Sequence, residues 1–522
     1  MKTFSTLSIL LFLTCCSPGA VNTADSNKPL PNIIILYVDD LGYGDIGEYG
    51  ATGVLTPNID RLAREGLKYT DAYSTAATCS PSRYSLLTGR YAFRRNASVL
   101  PGDAPLMIPA GSATIASMLQ RAGYRTAVVG KWHLGLGDGD LNWNQDIRPG
   151  PLEIGFDYAF LLPATGDRVP SVYVENHAVV GLSDEDDPLE ISYSDPIGDM
   201  PTGLSHPQLL RQGADRQHSD TIVNGISRIG FMDGGDSAHW RDEDFADLFV
   251  EKAVAFIEDA GNRNQTADPF FLYFSFHDIH VPRLPNERFV GASEMGPRGD
   301  AIAQVDWMTG QIVQTLERLQ IDDNTLIIFT SDNGPVLDDG YADQAVELLG
   351  AHRPAGALRG GKYSAFEAGT RVPTIAYWPD SIKPGTSHAL LSQVDFFATL
   401  ASISGQNPGP GEAIDSENLA TVLLSAEGRG RDALITQSAT LGIRRNDWKY
   451  IEPIPEGKTI PTFVEQNKNI ESGFSRRPQL YDLSLDPGEQ NNLVEQFPEL
   501  AAELQDEIDR IRTSEEWNRL KG

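Results

Sequence analysis

The sequence predicts an α/β fold: a large, mostly parallel sheet sandwiched by helices, with a small C-terminal α+β subdomain. Three observations carry this. Continuous apolar runs such as Ile33-Ile34-Ile35-Leu36-Tyr37-Val38 mark strands buried on both faces. They alternate with segments whose apolar residues recur at helical spacing, the pattern of parallel strands joined by crossover helices. Asp39-Asp40, His280 and Asp332-Asn333 each fall just past the end of such a run, where open parallel sheets collect their chemistry.

Residues 1–20 read as a leader: Met1 and Lys2, an apolar run from Leu7 to Leu13, then Leu13-Thr14-Cys15-Cys16-Ser17. The run is too short to span a bilayer and has the order of an export signal. The Leu-Thr-Cys-Cys stretch resembles a bacterial lipoprotein box, with Cys16 as lipid acceptor and Cys15 as the alternative; ordinary cleavage near Ala20 is the other reading. The expected location is therefore periplasm or cell surface as a lipoprotein, otherwise secreted. No later segment is long and apolar enough for a membrane span.

Residues 30–427 form the larger expected domain. After the strand ending at Val38, Thr56 as N-cap and Pro57 at the first helical position start a helix through Ile59, Leu62 and Ala63 that stops at Gly66. Leu67 to Tyr73 reads as a strand, a short helix through Leu86 and Leu87 closes near Gly89, and Thr114 to Ala122 is helical before a strand from Tyr124 to Val129. Between Pro149 and Ser237 no period persists; Phe156, Tyr158, Phe160, Tyr173 and Phe231 anchor long ordered loops. The alternation resumes with a helix over Glu243 to Asp259, a strand over Phe270 to Phe276, a helix over Ala301 to Leu319 and a strand over Thr325 to Thr330. A C-terminal unit, 428–522, carries strands over Leu441 to Ile451 and Gln479 to Leu483 and an acidic amphipathic helix over Glu499 to Ile511.

The chain of 522 residues holds 42 Lys and Arg against 72 Asp and Glu, a net charge of -30. That balance argues against nucleic acid or an anionic membrane surface as partner. It does not exclude an anionic substrate, which a local cluster of cations can capture. Asp39, Asp40, Asp332 and Asn333 offer four oxygen ligands with no His or Cys among them, suited to one hard divalent cation, calcium or alternatively magnesium. Gly42-Tyr43-Gly44-Asp45-Ile46-Gly47 is formally a dinucleotide fingerprint, but three nearby aspartates would repel a pyrophosphate and no helix opens there. The sequons at Asn96 and Asn264-Gln265-Thr266 are chance occurrences.

Cys79 has no disulfide partner once the leader is removed, and Ser80-Pro81-Ser82 makes a polar approach to a short helix, so it reads as a chemical residue. The run Cys79-Ser80-Pro81-Ser82-Arg83-Tyr84-Ser85-Leu86-Leu87-Thr88-Gly89-Arg90 resembles the signature of the type I sulfatases, within the alkaline phosphatase superfamily. Gly123 to His133, Asp39-Asp40, His280-Val281-Pro282, Asp332-Asn333-Gly334 and Gly361-Lys362 resemble further motifs of that family, in its order, as in bacterial arylsulfatases and carbohydrate sulfatases.

The resemblance implies that Cys79 is oxidised to formylglycine (3-oxoalanine) by a formylglycine-generating oxidase or radical maturase that reads Pro81 and Arg83, and that the modified residue joins the metal ligands. It implies that Arg83, Lys131 and Lys362 hold the hydrated aldehyde and the sulfate oxygens, that His133 accepts the diol proton, and that His280 protonates the leaving alkoxide. Lys131, His280 and Lys362 would also touch substrate. The expected activity is hydrolysis of a sulfuric ester on a sulfated oligo- or polysaccharide; a phosphonate or phosphodiester hydrolase and a non-catalytic glycan-binding lipoprotein are the alternatives. Polar residues of the irregular segments, Arg168 and His177 first, with Arg211 and His352-Arg353 behind them, are expected to rim the pocket and bind the sugar.

Overall fold

The computed structural model describes residues 29–182, 186–261 and 268–514; the leader with Cys15 and Cys16 and the sequon at Asn264 lie outside the described residues. A ten-stranded mixed sheet dominates. In chain order its strands are β1 (Asn32–Val38), β2 (Leu67–Tyr69), β3 (Arg125–Lys131), β4 (Tyr158–Leu162), β5 (Val174–Glu175), β6 (Ala178–Val179), β7 (Phe270–Ser275), β8 (Thr325–Ser331), β9 (Thr374–Tyr377) and β10 (Gly385–Ser387). Across the sheet they lie in the order β10-β2-β9-β8-β1-β7-β3-β4-β5-β6. The central run from β8 to β4 is parallel, and β9 turns antiparallel against β8.

Period-two alternation sends each strand's side chains to opposite cores. Ile33, Ile35 and Tyr37 of β1 pack with the helices α2 (Cys79–Thr88), α3 (Ile115–Arg121) and Phe396–Ile403. Ile34, Leu36 and Val38 pack with α1 (Pro57–Glu65), α4 (Phe245–Gly261) and α5 (Gly296–Leu319). Helices on both faces explain why the central strands are apolar throughout. Among the described residues no helix is long and apolar enough to cross a membrane.

Some local expectations need correction. Thr56 stands at the N-cap of α1 as expected, but its side chain makes no capping bond: its hydroxyl accepts from the Gly47 amide at 2.9 Å, and Asp306 of α5 takes the free amides of Asn58 and Ile59, each at 2.9 Å. The segment Leu67 to Tyr73 is not one strand. Asp71 turns aside to pair with Arg371 at 3.2 Å and Arg444 at 3.4 Å, so Ala72–Tyr73 leaves the sheet and pairs with Leu391–Ser392 instead. Leu441 to Ile451 is a hairpin, folded at Asn446, whose φ of 51° suits the one residue type besides glycine that readily turns left-handed. In the irregular segment Phe156, Phe160 and Tyr173 are buried as anchors, and Tyr158 and Phe231 are partly buried.

The C-terminal sheet is an antiparallel meander of Ala433–Gln437, Leu441–Arg445, Trp448–Ile451 and Gln479–Asp482. The helix Pro498–Thr513 lays Ala501, Leu504, Ile508 and Ile511 on it. Lys449 of the meander is buried against Glu367 at 3.0 Å and Glu489 at 3.4 Å. Burial pushes the Glu489 carboxyl up to about 7 in spite of Lys449, and Glu367 adds to the rise. Lys449→Met should therefore cost at least about 3 kcal/mol at pH 8, because buried Glu489 loses its cation and Glu367 keeps only Arg371 in ion-pair contact. A carboxyl with a raised folded pKa binds its proton more tightly folded than unfolded, so stability is lost as pH rises through that value. Denaturant melts should show a smaller deficit at pH 5.5; a pH-independent cost would contradict the ionic assignment.

Candidate active site

Parallel register brings the strand ends together. Val38 of β1 lies beside Ser331 of β8, Tyr37 beside Ser275 of β7, and Ser275 beside Gly130 of β3. Asp39-Asp40, Asp332-Asn333, His277 to His280 and Lys131 to His133 consequently emerge at one edge. Gly130 has φ 106°, and a Cβ there would meet the Ser275 carbonyl oxygen at 1.9 Å, so only glycine lets β3 turn to present Lys131. Asp40, His133 and Tyr363 hold left-handed φ of 59°, 53° and 70° without being glycine or asparagine. Such outliers cost on the order of 1 kcal/mol each and persist where packing forces them. All three lie at the site.

Asp39, Asp40, Asp332 and Asn333 are fully buried. Carboxylate oxygens of the three aspartates lie within 4.8 Å of one another. Asn333 donates to Asp40 Oδ1 at 2.8 Å, and among the described residues Asp39 Oδ1 and Asn333 Oδ1 have no hydrogen-bond partner. Buried acceptors left unpaired cost about 1–3 kcal/mol each. Burial pushes the Asp39 carboxyl well up, with Asp332 adding to the rise, and pushes Asp40 up as well. Burial acts on Asp332 in the same sense, but the Arg83 and Lys131 cations outweigh it and hold that carboxyl below its usual range. An all-oxygen donor set with orphaned acceptors fits a hard divalent cation.

Cys79 is buried at the first position of α2, and its sulfur, an Asp39 oxygen and a His280 nitrogen lie within 4.8 Å of one another. Burial pushes the thiol up, so as a plain cysteine it is a poor nucleophile. Arg83, one turn along α2, gives Nε and Nη2 to Asp332 Oδ2 at 3.0 and 2.7 Å. Lys131 pairs with Asp39. Lys362 bridges Asp40 at 2.9 Å and Asp339 at 3.0 Å; burial opposes its charge, but Asp339 and Asp40 hold its pKa well above the usual value.

The two histidines are poised differently. His133 Nε2 lies 2.9 Å from the Leu100 carbonyl and donates to it, which leaves Nδ1 as a bare acceptor, and Nδ1 has no partner. His280 Nδ1 donates to the Val281 carbonyl at 2.7 Å and leaves Nε2 toward Asp40, 3.9 Å away. Burial lowers both pKa values well below the usual; Lys131 adds to this at His133 and Lys362 at His280. His277 points elsewhere: its Nε2 accepts from the Gly166 amide at 2.9 Å.

A pocket of about 500 Å³ opens over Cys79, lined by His280 and Lys362 together with Asp167, Arg168 and His218. Arg168 donates to both Asp167 oxygens at 2.8 Å, and His218 bridges Asp215 at 2.7 Å and Asp167 at 3.3 Å. Burial opposes the Asp167 carboxylate, but Arg168 and His218 hold it ionised. Arg168 thus lines the pocket, whereas His177 does not: it pairs with Glu153 at 3.0 Å in the β5–β6 turn at the sheet's edge. Arg211 is also outside, paired with Glu243, and His352 is buried behind the site on Asp45 at 2.8 Å with exposed Arg353 beside it. Asp167, His218, Asp339 and Lys468 belong to the pocket and escaped the sequence reading. Only the adjacency of Asp167 to Arg168 offered a signal.

The Sulfatase family model matches residues 31–405 of this chain, the span that holds every residue just placed except Lys468. The chain is a sulfatase. The curated N-acetylgalactosamine-6-O-sulfatase of Bacteroides thetaiotaomicron is 48% identical to it over 98% of this chain and 100% of the relative. The human N-acetylgalactosamine-6-sulfatase is 30% identical over 92% of this chain and 84% of its own length. A solved Bacteroides thetaiotaomicron sulfatase, described under the metabolism of multiple glycosaminoglycans, superposes with a TM-score of 0.89 at 49% identity, covering 93% of this chain and 100% of the other. The sulfatase is accordingly a sulfuric ester hydrolase, and the reading as a non-catalytic binding protein falls away. The acidic cluster at the ends of β1 and β8 is where a family that uses a metal ion would hold it.

Proposed function

We propose that this sulfatase removes sulfate from a carbohydrate, with a 6-sulfated N-acetylgalactosamine or galactose unit as the sugar it takes. The observation that carries the proposal is the lining of the pocket over Cys79, which joins Lys362 and His280, suited to a sulfate, to the Asp167-Arg168-His218 cluster, suited to sugar hydroxyls. The names of the relatives at 48% and 30% identity support the same sugar class.

Formylglycine at position 79, made by a maturation enzyme that reads Pro81 and Arg83, supplies as its hydrate one hydroxyl to attack sulfur and a second whose deprotonation expels sulfate. Asp39, Asp40, Asp332 and Asn333 would hold one divalent cation, calcium or magnesium, that adds positive charge beside the sulfate oxygens. Lys131 and Lys362 hold sulfate oxygens, and Arg83 fixes Asp332 and faces the hydrate. His133 Nδ1 accepts the hydrate's proton, its orientation set by the Leu100 carbonyl. His280 Nε2 carries a proton to the ester oxygen as the alcohol leaves. Burial and then Lys362 hold His280 well below its usual pKa, and an anionic ester bound beside it would raise that pKa. Arg168 and Asp167 bind hydroxyls of the same sugar ring.

Sulfate release from free 6-sulfated galactosamine, galactose and glucosamine units tests the reading; turnover of aryl sulfates with none of these sugars would refute it. His280→Ala is expected to lower kcat/KM on a sugar sulfate by about 100-fold or more, and on 4-nitrophenyl sulfate by less than about 10-fold, because a phenolate leaves without a proton. Equal losses on both would assign His280 to binding, and His277→Ala should cost far less. The leader, by the same reading, exports the enzyme with a lipid anchor on Cys16. Radiolabelled palmitate incorporation that persists in Cys16→Ala and Cys15→Ala would exclude that anchor.

A further inference from the structure

We propose that the C-terminal part of the chain builds a subsite for the sugar next to the sulfated one, and that this neighbour is uncharged. The inference rests on the carbohydrate reading above. Its first support is an aromatic wall. Phe463 opens the short helix Phe463–Lys468, is 43% exposed, and lines the mouth of the catalytic pocket together with Phe474. An exposed aromatic ring at a pocket mouth offers an apolar face to the C–H side of a sugar.

The wall is fixed to the catalytic centre at both ends of that helix. The Phe463 ring meets Tyr363 edge-on with centroids 5.4 Å apart, and Tyr363 follows Lys362 in the chain. Lys468, at the other end, pairs with Asp339 at 2.8 Å, and Asp339 pairs with Lys362 at 3.0 Å. Val464 between them is fully buried. A ligand ring held on Phe463 is therefore registered against the residues that hold the sulfate.

The second support is the distribution of charge. The pocket's cations, Arg168, Lys362 and Lys468, lie at its base, and each is already paired with Asp167, Asp40 or Asp339. The more exposed lining residues Ser98, Val99, Gln437, Ser438, Phe463 and Phe474 are uncharged. Beyond the pocket, sharing Gln217 and Asn467 as a common rim, lies a hollow of about 1120 Å³ whose lining includes Asp215, paired with His218, and Asp343, paired with Arg283, and which sets Asp220, Asp338 and Glu347 against the lining cation Arg216. Gln217 and Asn467 are exposed and have no side-chain hydrogen bond among the described residues, so both are open to sugar hydroxyls. A polyanionic chain running past the first ring would meet that acidic hollow unpaired, whereas a neutral ring meets aromatic faces and amides. The geometry points to an enzyme that works on a terminal sulfated sugar carried by a neutral one.

Steady-state kinetics on three substrates tests this: the sulfated monosaccharide alone, the same unit linked through C1 to a neutral hexose or N-acetylhexosamine, and the same unit linked to a hexuronate. The neutral disaccharide should exceed the monosaccharide in kcat/KM by about 10-fold, the value of one good aromatic contact, and the hexuronate should fall below it. Phe463→Ala should remove the gain through KM and leave the monosaccharide within about 2-fold, and Phe463→Trp should restore it. Equal rates on the free sugar and the neutral disaccharide, a preference for the hexuronate, or a Phe463→Ala loss shared by monosaccharide and disaccharide would each overturn the subsite. Turnover of no sulfated sugar by the wild-type enzyme would instead overturn the carbohydrate reading, and the subsite with it.

Discussion

Cys79→Ala is expected to lower kcat/KM on any sulfate ester by at least about 10,000-fold, the scale at which removal of a covalent nucleophile is felt. Its fold should be unaffected, because alanine suits the first turn of α2 and the buried side chain loses a single sulfur. The expectation rests on where Cys79 stands: buried beside Asp39 and His280, at the floor of the pocket, with its thiol pushed up and hence unreactive as a cysteine. Peptide mass spectrometry of active wild-type enzyme should show the loss of sulfur at residue 79. A preparation carrying only the unmodified thiol at full activity would refute both the modification and the mechanism built on it.

The second large effect is expected at Asp332. It accepts two bonds from Arg83 and shares the cation cluster with Asp39 and Asp40. Asp332→Ala would leave the Arg83 guanidinium buried without its carboxylate, a loss of about 3–5 kcal/mol that confuses folding with function. Asp332→Asn keeps an acceptor for Arg83 and removes the charge. It should bind calcium at least about 100-fold more weakly and lose about 1,000-fold in kcat, with a Tm within a few degrees of wild type. Exhaustive chelation of the wild-type enzyme should reproduce the activity loss, and added calcium or magnesium should reverse it. Full activity in metal-free protein would remove the cation from the mechanism, and direct calcium titration of the variant separates a lost ligand from a lost catalytic group.

Local chemistry made much of this protein legible from its residues alone. Apolar runs at Ile33, Phe270 and Thr325 read as strands because they are short, rich in β-branched and aromatic residues, and alternate with helical patterns, as strands buried on both faces do. Polar residues that follow such runs land at one edge of the sheet, because parallel strands in register share their carboxyl ends. Cys79, Arg83, Lys131, His133, His280 and Lys362 were named from motifs, since contiguous residues carry their own spacing. Where the sequence reading failed, the deciding contact came from far along the chain. Leu67 to Tyr73 breaks because Asp71 is drawn to Arg371 and Arg444, and the free amides of α1 are taken by Asp306 rather than by the side chain of its N-cap residue Thr56.

The rest of the pocket lining shows the same division. Arg168 and His177 were indistinguishable as polar residues of a patternless segment, and only folding placed one over Cys79 and the other at the sheet edge beside Glu153. Asp167, His218, Asp339 and Lys468 had no periodicity, motif or composition to mark them, because their roles exist only in pairs that lie up to 129 positions apart, as Asp339 and Lys468 do. Sequence by itself therefore determined the sulfatase family, and with it the residues proposed for catalysis, which are written in contiguous motifs at strand ends. Tertiary structure alone decided what the pocket can select, because loops and a C-terminal helix meet there through long-range ion pairs whose energy depends on burial and distance, neither of which a linear pattern records.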